Sequence, residues 1–352
     1  MSITVHQRPG VYSSYDASRV VSGSGAGRLV GLAGVNTTAS AGVAQTITSY
    51  DQAVTAFGSS GAEDMAELIR LALANGASGV VAVPVASAAD YQDAFDLLAE
   101  TEDIALVICD STDEEVQADL RDSVAAASEA RRERLAVVAG AKDESVADLV
   151  ERAKGLNNER VVLVAPGGVD SSGTALSGLT LAAAVAGAIA GESDPALPLG
   201  GAELLGLGAL ELLYSDSEVD LLVQGGVTPV ETVAGQTSVI RGATTRTKTG
   251  EAADATWREL TTILIVDEVI HGIRDSLRSR FTRSKNTAQT REAIRSHVVL
   301  ELEDRLRREI ITGYEGVTAQ ALGEDPTVCL VEFAFSVAHG LSQIWLSAHI
   351  TV

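Results

Sequence analysis

Asp110 closes the apolar run "IALVICD" (Ile104 to Asp110) and opens the acidic stretch "DSTDEE". A carboxylate at the carboxyl end of a buried strand could accept a phosphoryl group, as in a receiver-like regulator, since open α/β sheets hold ligands at that end. The preferred alternative is helix N-capping by Ser111 or Thr112, with Asp110 merely acidic. The stretch lacks the ligand spacing of a calcium loop. "SGSGAG" (Ser22 to Gly27) has the glycines of a phosphate cradle, but a dinucleotide fingerprint follows a strand and opens a helix. Here the glycines precede a strand and read as a flexible linker. No Walker lysine, G-x-S-x-G elbow or H-E-x-x-H pair occurs.

The histidines are His6, His271, His297, His339 and His349. All lie outside the stretch of alternating strands and helices, where a catalytic triad or metal centre on the sheet would need one. His271 and His297 stand beside charged neighbours, so a solvated or interface position is expected for both. No catalytic, cofactor-binding or metal-binding residue is assigned, and the chain is not read as an enzyme.

The elements that would position such groups are nonetheless clear. Short, β-branched apolar runs lie at 28–35, 79–85, 104–110, 135–140, 160–167 and 220–226. Runs of this kind suit strands buried on both faces. Between them lie helical patterns such as "AEDMAELIRLALANG" and "DESVADLVERAKG", with acidic or Ser caps and Gly stops. Alternating βα units imply a parallel sheet covered by helices. The longest apolar stretch, Leu176 to Gly191, is too short and too rich in small residues to span a bilayer, which takes about 20 apolar residues. "MSITVHQRPG" lacks the basic and apolar regions of a secretion signal. Cys109 and Cys329 sit in apolar runs and read as free thiols.

The net charge is −22, which argues against a nucleic-acid binder, because neutralising phosphates needs a basic surface. The charge is uneven: residues 1–230 carry 12 basic and 32 acidic side chains, and the remainder 14 and 16. Two regions with different surroundings are implied.

Beyond Val227 the periodicity changes. "TSVIRGATTRTKTG" reads as a strand or hairpin. A helix is expected from about Asp254 to Phe281, its buried stripe formed by Ile263, Val266, Ile270, Ile273, Leu277 and Phe281. Its end carries Arg274, Arg278, Arg280, Arg283 and Lys285. A second helix, about Thr287 to Ile311, has Ile294, Val298, Leu302, Leu306 and Ile310 on one face. Its outer face offers Glu301–Arg305, Glu303–Arg307 and Asp304–Arg308 pairs at i,i+4. "GYEGVTAQALGEDP" reads as turn-rich. In "VEFAFSVAHG", Val331, Phe333, Phe335 and Val337 share a face. In "IWLSAHITV", Leu346, Ala348, Ile350 and Val352 do so, up to the last residue. At the other end "SITV", with Ile3 and Val5, is a short strand on a breakable arm. The tail can be the last hairpin of its own domain, or the two terminal strands can complete sheets in neighbouring copies.

The early "RPGVY" (Arg8 to Tyr12), the body opening at "GRLVGLAGV" and above all the last third resemble the contractile tail sheath proteins of bacteriophages and related injection particles. The specific segments are "SVIRGATTRT", "TWRELTTILIVDEVIHGIRDSLRSRF" and "VEFAFSVAHGLSQIWLSAHITV". The resemblance implies hexameric rings stacked helically on an inner tube, with baseplate and tail terminator proteins as further partners and no nucleic acid or direct membrane insertion. It implies a virion tail or injection particle, assembled in the host cytoplasm, and contraction without a nucleotide or other cofactor. It places Ile3 and Val5, and Leu346, Ala348, Ile350 and Val352, in intersubunit arm strands. Val331, Phe333, Phe335 and Val337 would lie in the receiving sheet, and Arg274, Arg278, Arg280, Arg283 and Lys285 would contact the tube or an adjacent subunit.

The expected architecture is therefore an arm and linker (1–27), a helix-covered, mainly parallel α/β body (28–229), a smaller α+β C-terminal domain (230–343) and a C-terminal arm strand (344–352). The rival readings are a soluble α/β enzyme or ligand-binding protein dimerising through its tail, and the Asp110 regulator.

Overall fold

A computed structural model describes residues 27–170, 172–322 and 327–341. The expected apolar runs form β1 (Leu29–Val35), β3 (Gly79–Val85), β4 (Ile104–Cys109), β5 (Leu135–Ala139) and β6 (Val161–Ala165). A short β2 (Gln45–Ile47) precedes β3. The helices between them are α1 (Tyr50–Phe57), α2 (Met65–Ala74), α3 (Tyr91–Glu100), α4 (Glu114–Glu129) and α5 (Val146–Leu156). After β6 come β7 (Gly168–Val169), α6 (Leu179–Gly191), β8 (Ala209–Leu210), α7 (Asp216–Gln224), β9 (Val227–Val233) and β10 (Gln236–Val239).

The eight-stranded sheet has the order β10-β9-β6-β5-β4-β1-β3-β2. Its six inner strands are parallel, and β10 and β2 close the edges antiparallel. One apolar core lies beneath α1, α2 and α6, the other beneath α3, α4, α5 and α7. Burial on both faces is what the unbroken Val, Leu and Ala runs require. α6 is buried around nearly its whole circumference, which accounts for its apolar run. No described helix is long and apolar enough to cross a membrane.

One expected strand is a helix. Residues 220–226 lie in α7 and the turn after it, and the sixth parallel strand is β9. Ser215 forms a capping box with Glu218, its amide and hydroxyl both donating to the Glu218 carboxylate at 2.8 and 2.7 Å. The helix therefore starts at Asp216. Only Leu222 and Val223 of the apolar triplet turn inward; Leu221 is exposed. The division expected at 229/230 falls inside β9, whose hairpin partner β10 belongs to the body sheet.

The rest of the chain forms a hairpin β11 (Lys248–Thr249) and β12 (Ala252–Ala253), two long helices α8 (Leu260–Phe281) and α9 (Ala288–Arg307), and a ribbon of β13 (Ile311–Ala321) and β14 (Cys329–Val337). α8 starts at Leu260, not Asp254. Asp254 instead accepts the Thr249 hydroxyl at 2.6 Å and the Thr256 amide at 2.9 Å, fixing the turn before the helix. The stretch read as turn-rich is mostly β13, bulged where Gly316 takes φ +67°.

Candidate functional site

Side chains of the protein itself occupy the carboxyl end of the sheet. Asp110 accepts the Val35 amide at 2.8 Å and the Tyr91 hydroxyl. Burial pushes its carboxyl above the ordinary range, against both of those hydrogen bonds. The α4 cap is Asp113, whose carboxylate accepts the Glu115 amide at 2.8 Å, rather than Ser111 or Thr112. Close by, the buried Arg152 donates to Glu144 at 2.6 Å and to the Thr112 carbonyl at 2.9 Å. Gln117, fully buried, donates to the Ala139 carbonyl at 2.8 Å. Donors and acceptors that might have met a substrate are thus satisfied internally. Burial raises the Cys109 thiol to about 12, so it stays protonated. Among the described residues, no cluster of His, Cys, Asp and Glu could hold a metal ion.

The C-terminal elements present a different kind of surface. β14 alternates half-buried and exposed residues along its whole length. Val331, Phe333, Phe335 and Val337 share the half-buried face, as their spacing requires. They pack on a small core of Ile265, Val269 and Ile273 from α8, Val298 and Leu302 from α9, and Ile310 and Ile311. Phe333 and Phe335 stack with ring centroids 6.2 Å apart. The expected α8 stripe is shifted: Ile265 and Val269 face this core, whereas Val266 is half-buried and Ile270 exposed. Leu260 and Ile263 belong to the body core instead. One helix thus serves two cores, and a single periodic stripe does not describe it. On α9, Val298 and Leu302 are buried and Leu306 packs beside them, as expected.

Polar contacts tie the two helices together. His297 is buried, not solvated, with its Nε2 2.6 Å from the Ser276 hydroxyl. That hydroxyl donates to Glu301 at 2.6 Å, so the imidazole must be the donor to Ser276. Glu301 also takes Arg305 at 2.7 Å, and Arg305 is buried against Gly272, not on an outer face. Arg307 pairs with Asp304 at 3.0 Å, Arg308 approaches Glu268 at 3.8 Å, and Glu303 accepts from Tyr314.

The basic end of α8 divides. Arg274 is engaged within the chain, its guanidinium forking onto Glu133 of the body. Burial alone would raise the Glu133 carboxyl, but hydrogen bonds from Arg274, its own backbone amide and His271 hold it below the ordinary range. His271 lies 3.4 Å from Glu133 and 3.1 Å from Asp275. Arg278, Arg280, Arg283 and Lys285 are exposed at the tip of the α8–α9 hairpin, with no ion pair to any described residue. They sit where the helix dipole favours cations. The contacts from α8 to the body, Arg160–Asp267 and Glu133–Arg274, had no sequence signal beyond the seven-residue spacing of Asp267 and Arg274.

Ile3, Val5, Leu346, Ala348, Ile350 and Val352 lie outside the described residues. The ribbon that would receive arm strands has two strands, and neither outer edge pairs with any other described strand. The described residues thus form a helix-covered α/β sheet carrying a helical hairpin with an exposed basic tip and a two-stranded β-ribbon.

Comparison with known proteins specifies the class. The model of the phage tail sheath protein central domain matches residues 85–245, and that of the phage tail sheath C-terminal domain matches residues 252–351. The chain belongs to the phage tail sheath family. It is 27% identical over 268 residues to the tail sheath protein of Bacillus phage SP01, covering 74% of this chain and 45% of that one. The chain thus spans about half the length of that relative. The fold matches the helical sheath of the anti-feeding prophage in its contracted state, with TM-score 0.74 and 18% identity over 98% of this chain and 99% of that chain. It also matches the contracted PVC sheath of an extracellular contractile injection system, with TM-score 0.73 and 17% identity over 99% of both. A sheath tail protein from Desulfitobacterium hafniense gives TM-score 0.68 and 14% identity over 93% of this chain and 100% of that chain.

Proposed function

We propose that the chain is a subunit of a contractile tail sheath. Copies polymerise as hexameric rings stacked helically around an inner tube and contract to drive the tube through a target envelope. The observation that carries this reading is the β13–β14 ribbon, held by one face on the α8–α9 core while neither outer edge pairs with another described strand. An open edge offers a row of backbone donors and acceptors to an extended segment of another copy. Arm strands at the two ends of one chain, residues 2–5 and about 344–352, link each copy to more than one neighbour, which generates an open assembly rather than a closed dimer. Work comes from exchanging a smaller interface between subunits for a larger one, so no nucleotide is consumed.

Arg278, Arg280, Arg283 and Lys285 form charge contacts with the tube or an adjacent subunit. At an exposed tip such contacts are weak singly and screened by salt, as suits bonds that must break during contraction. Baseplate and tail terminator proteins are the partners at the ends of the sheath. The particle is a virion tail or injection device assembled in the host cytoplasm.

Electron microscopy of the purified chain beside a version ending at Gln343 tests the proposal. Tubes or stacked rings are expected from the intact chain and are lost on truncation, while circular dichroism shows the body still folded. Monomers or dimers from both versions, across concentration and salt, would refute it.

A further inference from the structure

The far end of the ribbon carries an apolar patch. Gln320 pairs with Leu330 and Ala321 with Cys329, and the Leu322 amide continues the ladder to the Val328 carbonyl at 3.1 Å. Opposite residues of an antiparallel pair project to one face, and side chains two apart along a strand share it. Leu322, Val328 and Leu330 therefore lie together on the face turned away from Val331, Phe333 and the α8–α9 core. They are 39%, 40% and 44% exposed. The Asn286 side-chain amide also donates to the Val328 carbonyl, at 3.1 Å. Asn286 follows Lys285 directly, so this bond brings the patch and the basic tip to one end of the C-terminal elements.

Charge in the body is divided between the two faces of the sheet. The helices over one core, α1, α2 and α6, carry only the acids Asp51 and Glu67, and Glu67 is paired with Arg70 at 2.6 Å. The helices over the other core hold the remaining α-helical acids of the body, from Asp93 on α3 to Asp220 on α7. At α7 this acidic layer also shows apolar surface. Leu221 is 57% exposed beside Asp220, and Leu212 and Leu213, just before the helix, are 40% and 67% exposed. Asp216 and Asp220 are exposed and have no ion pair to any described residue. One chain thus displays an apolar patch beside unpaired cations and a second beside unpaired anions.

We propose that the ribbon end and basic tip of one copy dock on the α7 surface of a second copy. The two sets of apolar side chains form the centre of the contact, and Arg280, Arg283 and Lys285 meet Asp216 and Asp220 at its rim. Both surfaces are exposed in the same chain, so covering them takes another copy. Tip against tip, or α7 against α7, would set like charges together, whereas tip against α7 matches them. The two surfaces differ, so the contact is head-to-tail, and each added copy leaves one surface of each kind free for the next. The inference rests on the sheath reading for its place in the particle, and it takes an adjacent subunit, not the tube, as the partner of the tip.

Charge reversal in two full-length variants tests the contact. One carries Arg280→Glu, Arg283→Glu and Lys285→Glu, and the other carries Asp216→Lys and Asp220→Lys. Each alone sets like charges against each other, so self-association read by sedimentation velocity should weaken several-fold. An equal mixture opposes unlike charges at both surfaces again and should recover wild-type association, with circular dichroism unchanged throughout. Leu221→Ser and Leu330→Ser should each weaken association several-fold at high salt as well, where the charges are screened. If a multiple reversal fails to fold, Lys285→Glu mixed with Asp220→Lys repeats the exchange. Wild-type association by either reversed variant alone overturns the proposal, as does a mixture that recovers nothing. Absence of tubes from the wild type would refute the sheath reading, whereas recovery in the mixture would still establish this contact.

Discussion

Arg160, one residue before β6, forks onto Asp267 of α8, Nη1 to Oδ2 at 2.8 Å and Nη2 to Oδ1 at 2.9 Å. Two helical turns later the polarity reverses, with Arg274 of α8 forking onto Glu133 of the body. Sliding α8 along its axis breaks both pairs together, so the two forks set its position on the sheet. The two ends of the first pair pull differently. Burial would lower the Arg160 guanidinium, but the Asp267 hydrogen bond together with the charges of Asp267, Glu159 and Glu133 outweighs it, and Arg160 is raised. Asp267 is raised by burial even against Arg160, so its charged form is disfavoured. Desolvation here offsets much of the attraction, and the pair specifies geometry more than it stabilises.

Asp267→Ala should therefore destabilise the chain by about 3–5 kcal/mol, because it strands a buried guanidinium. The double replacement Arg160→Met with Asp267→Leu should recover most of that loss. Urea unfolding of the wild type, Asp267→Ala and the double variant measures the difference. A double variant no more stable than Asp267→Ala would contradict this account.

Acid should release the second pair. Glu133 is held below its ordinary value, so its contribution is complete above the unfolded carboxyl pKa of about 4.3 and is lost as pH falls through the folded value. Arg274→Ala should cost about 1–3 kcal/mol at neutral pH, and the difference from wild type should shrink as Glu133 protonates. Stability curves at a series of pH values from neutral downward provide the check. An offset that stays constant across the series would mean the pair does not carry it.

The hairpin tip should behave in the opposite way. Arg280→Glu and Arg283→Glu touch no described partner, so stability should change by no more than about 0.5 kcal/mol. Assembly on the tube should nevertheless weaken, most clearly at low salt, where charge contacts are least screened. Co-sedimentation with purified tube at two ionic strengths, beside thermal unfolding of the free subunit, separates the effects. Equal binding by variant and wild type would remove the tip from the interface.

Asp110 should prove structural. Asp110→Ala leaves the Tyr91 hydroxyl and the Val35 amide without their acceptor and should cost about 1–3 kcal/mol. Incubating the wild type with acetyl phosphate should leave no label on Asp110, read by mass spectrometry of the intact chain. A labelled aspartate would revive the regulatory reading.

The body was legible because a parallel strand buried on both faces can be written as an unbroken apolar run, and such a run announces itself whatever surrounds it. Gly79–Val85 was read to the residue. The same rule misread 220–226, where three apolar residues in a row belong to a helix capped from Ser215, and the cap lies outside the run. α8 carries no single stripe because its first turn serves the body core and its middle the C-terminal core.

The sequence by itself determined the fold class, the family resemblance and the face shared by Val331, Phe333, Phe335 and Val337, since period and composition are local properties of the chain. Only the tertiary structure decided that Arg274 is engaged within the chain while Arg278, Arg280, Arg283 and Lys285 are exposed without a described partner. It alone decided that His297 and Arg305 are buried and that Asp110 is a hydrogen-bond acceptor for its own neighbours. A charged residue carries the same letter whether it meets water or a partner, and the partners here lie far off in sequence. Arg274 meets Glu133 across 141 positions, and Arg160 meets Asp267 across 107, separations that folding alone brings within hydrogen-bonding distance.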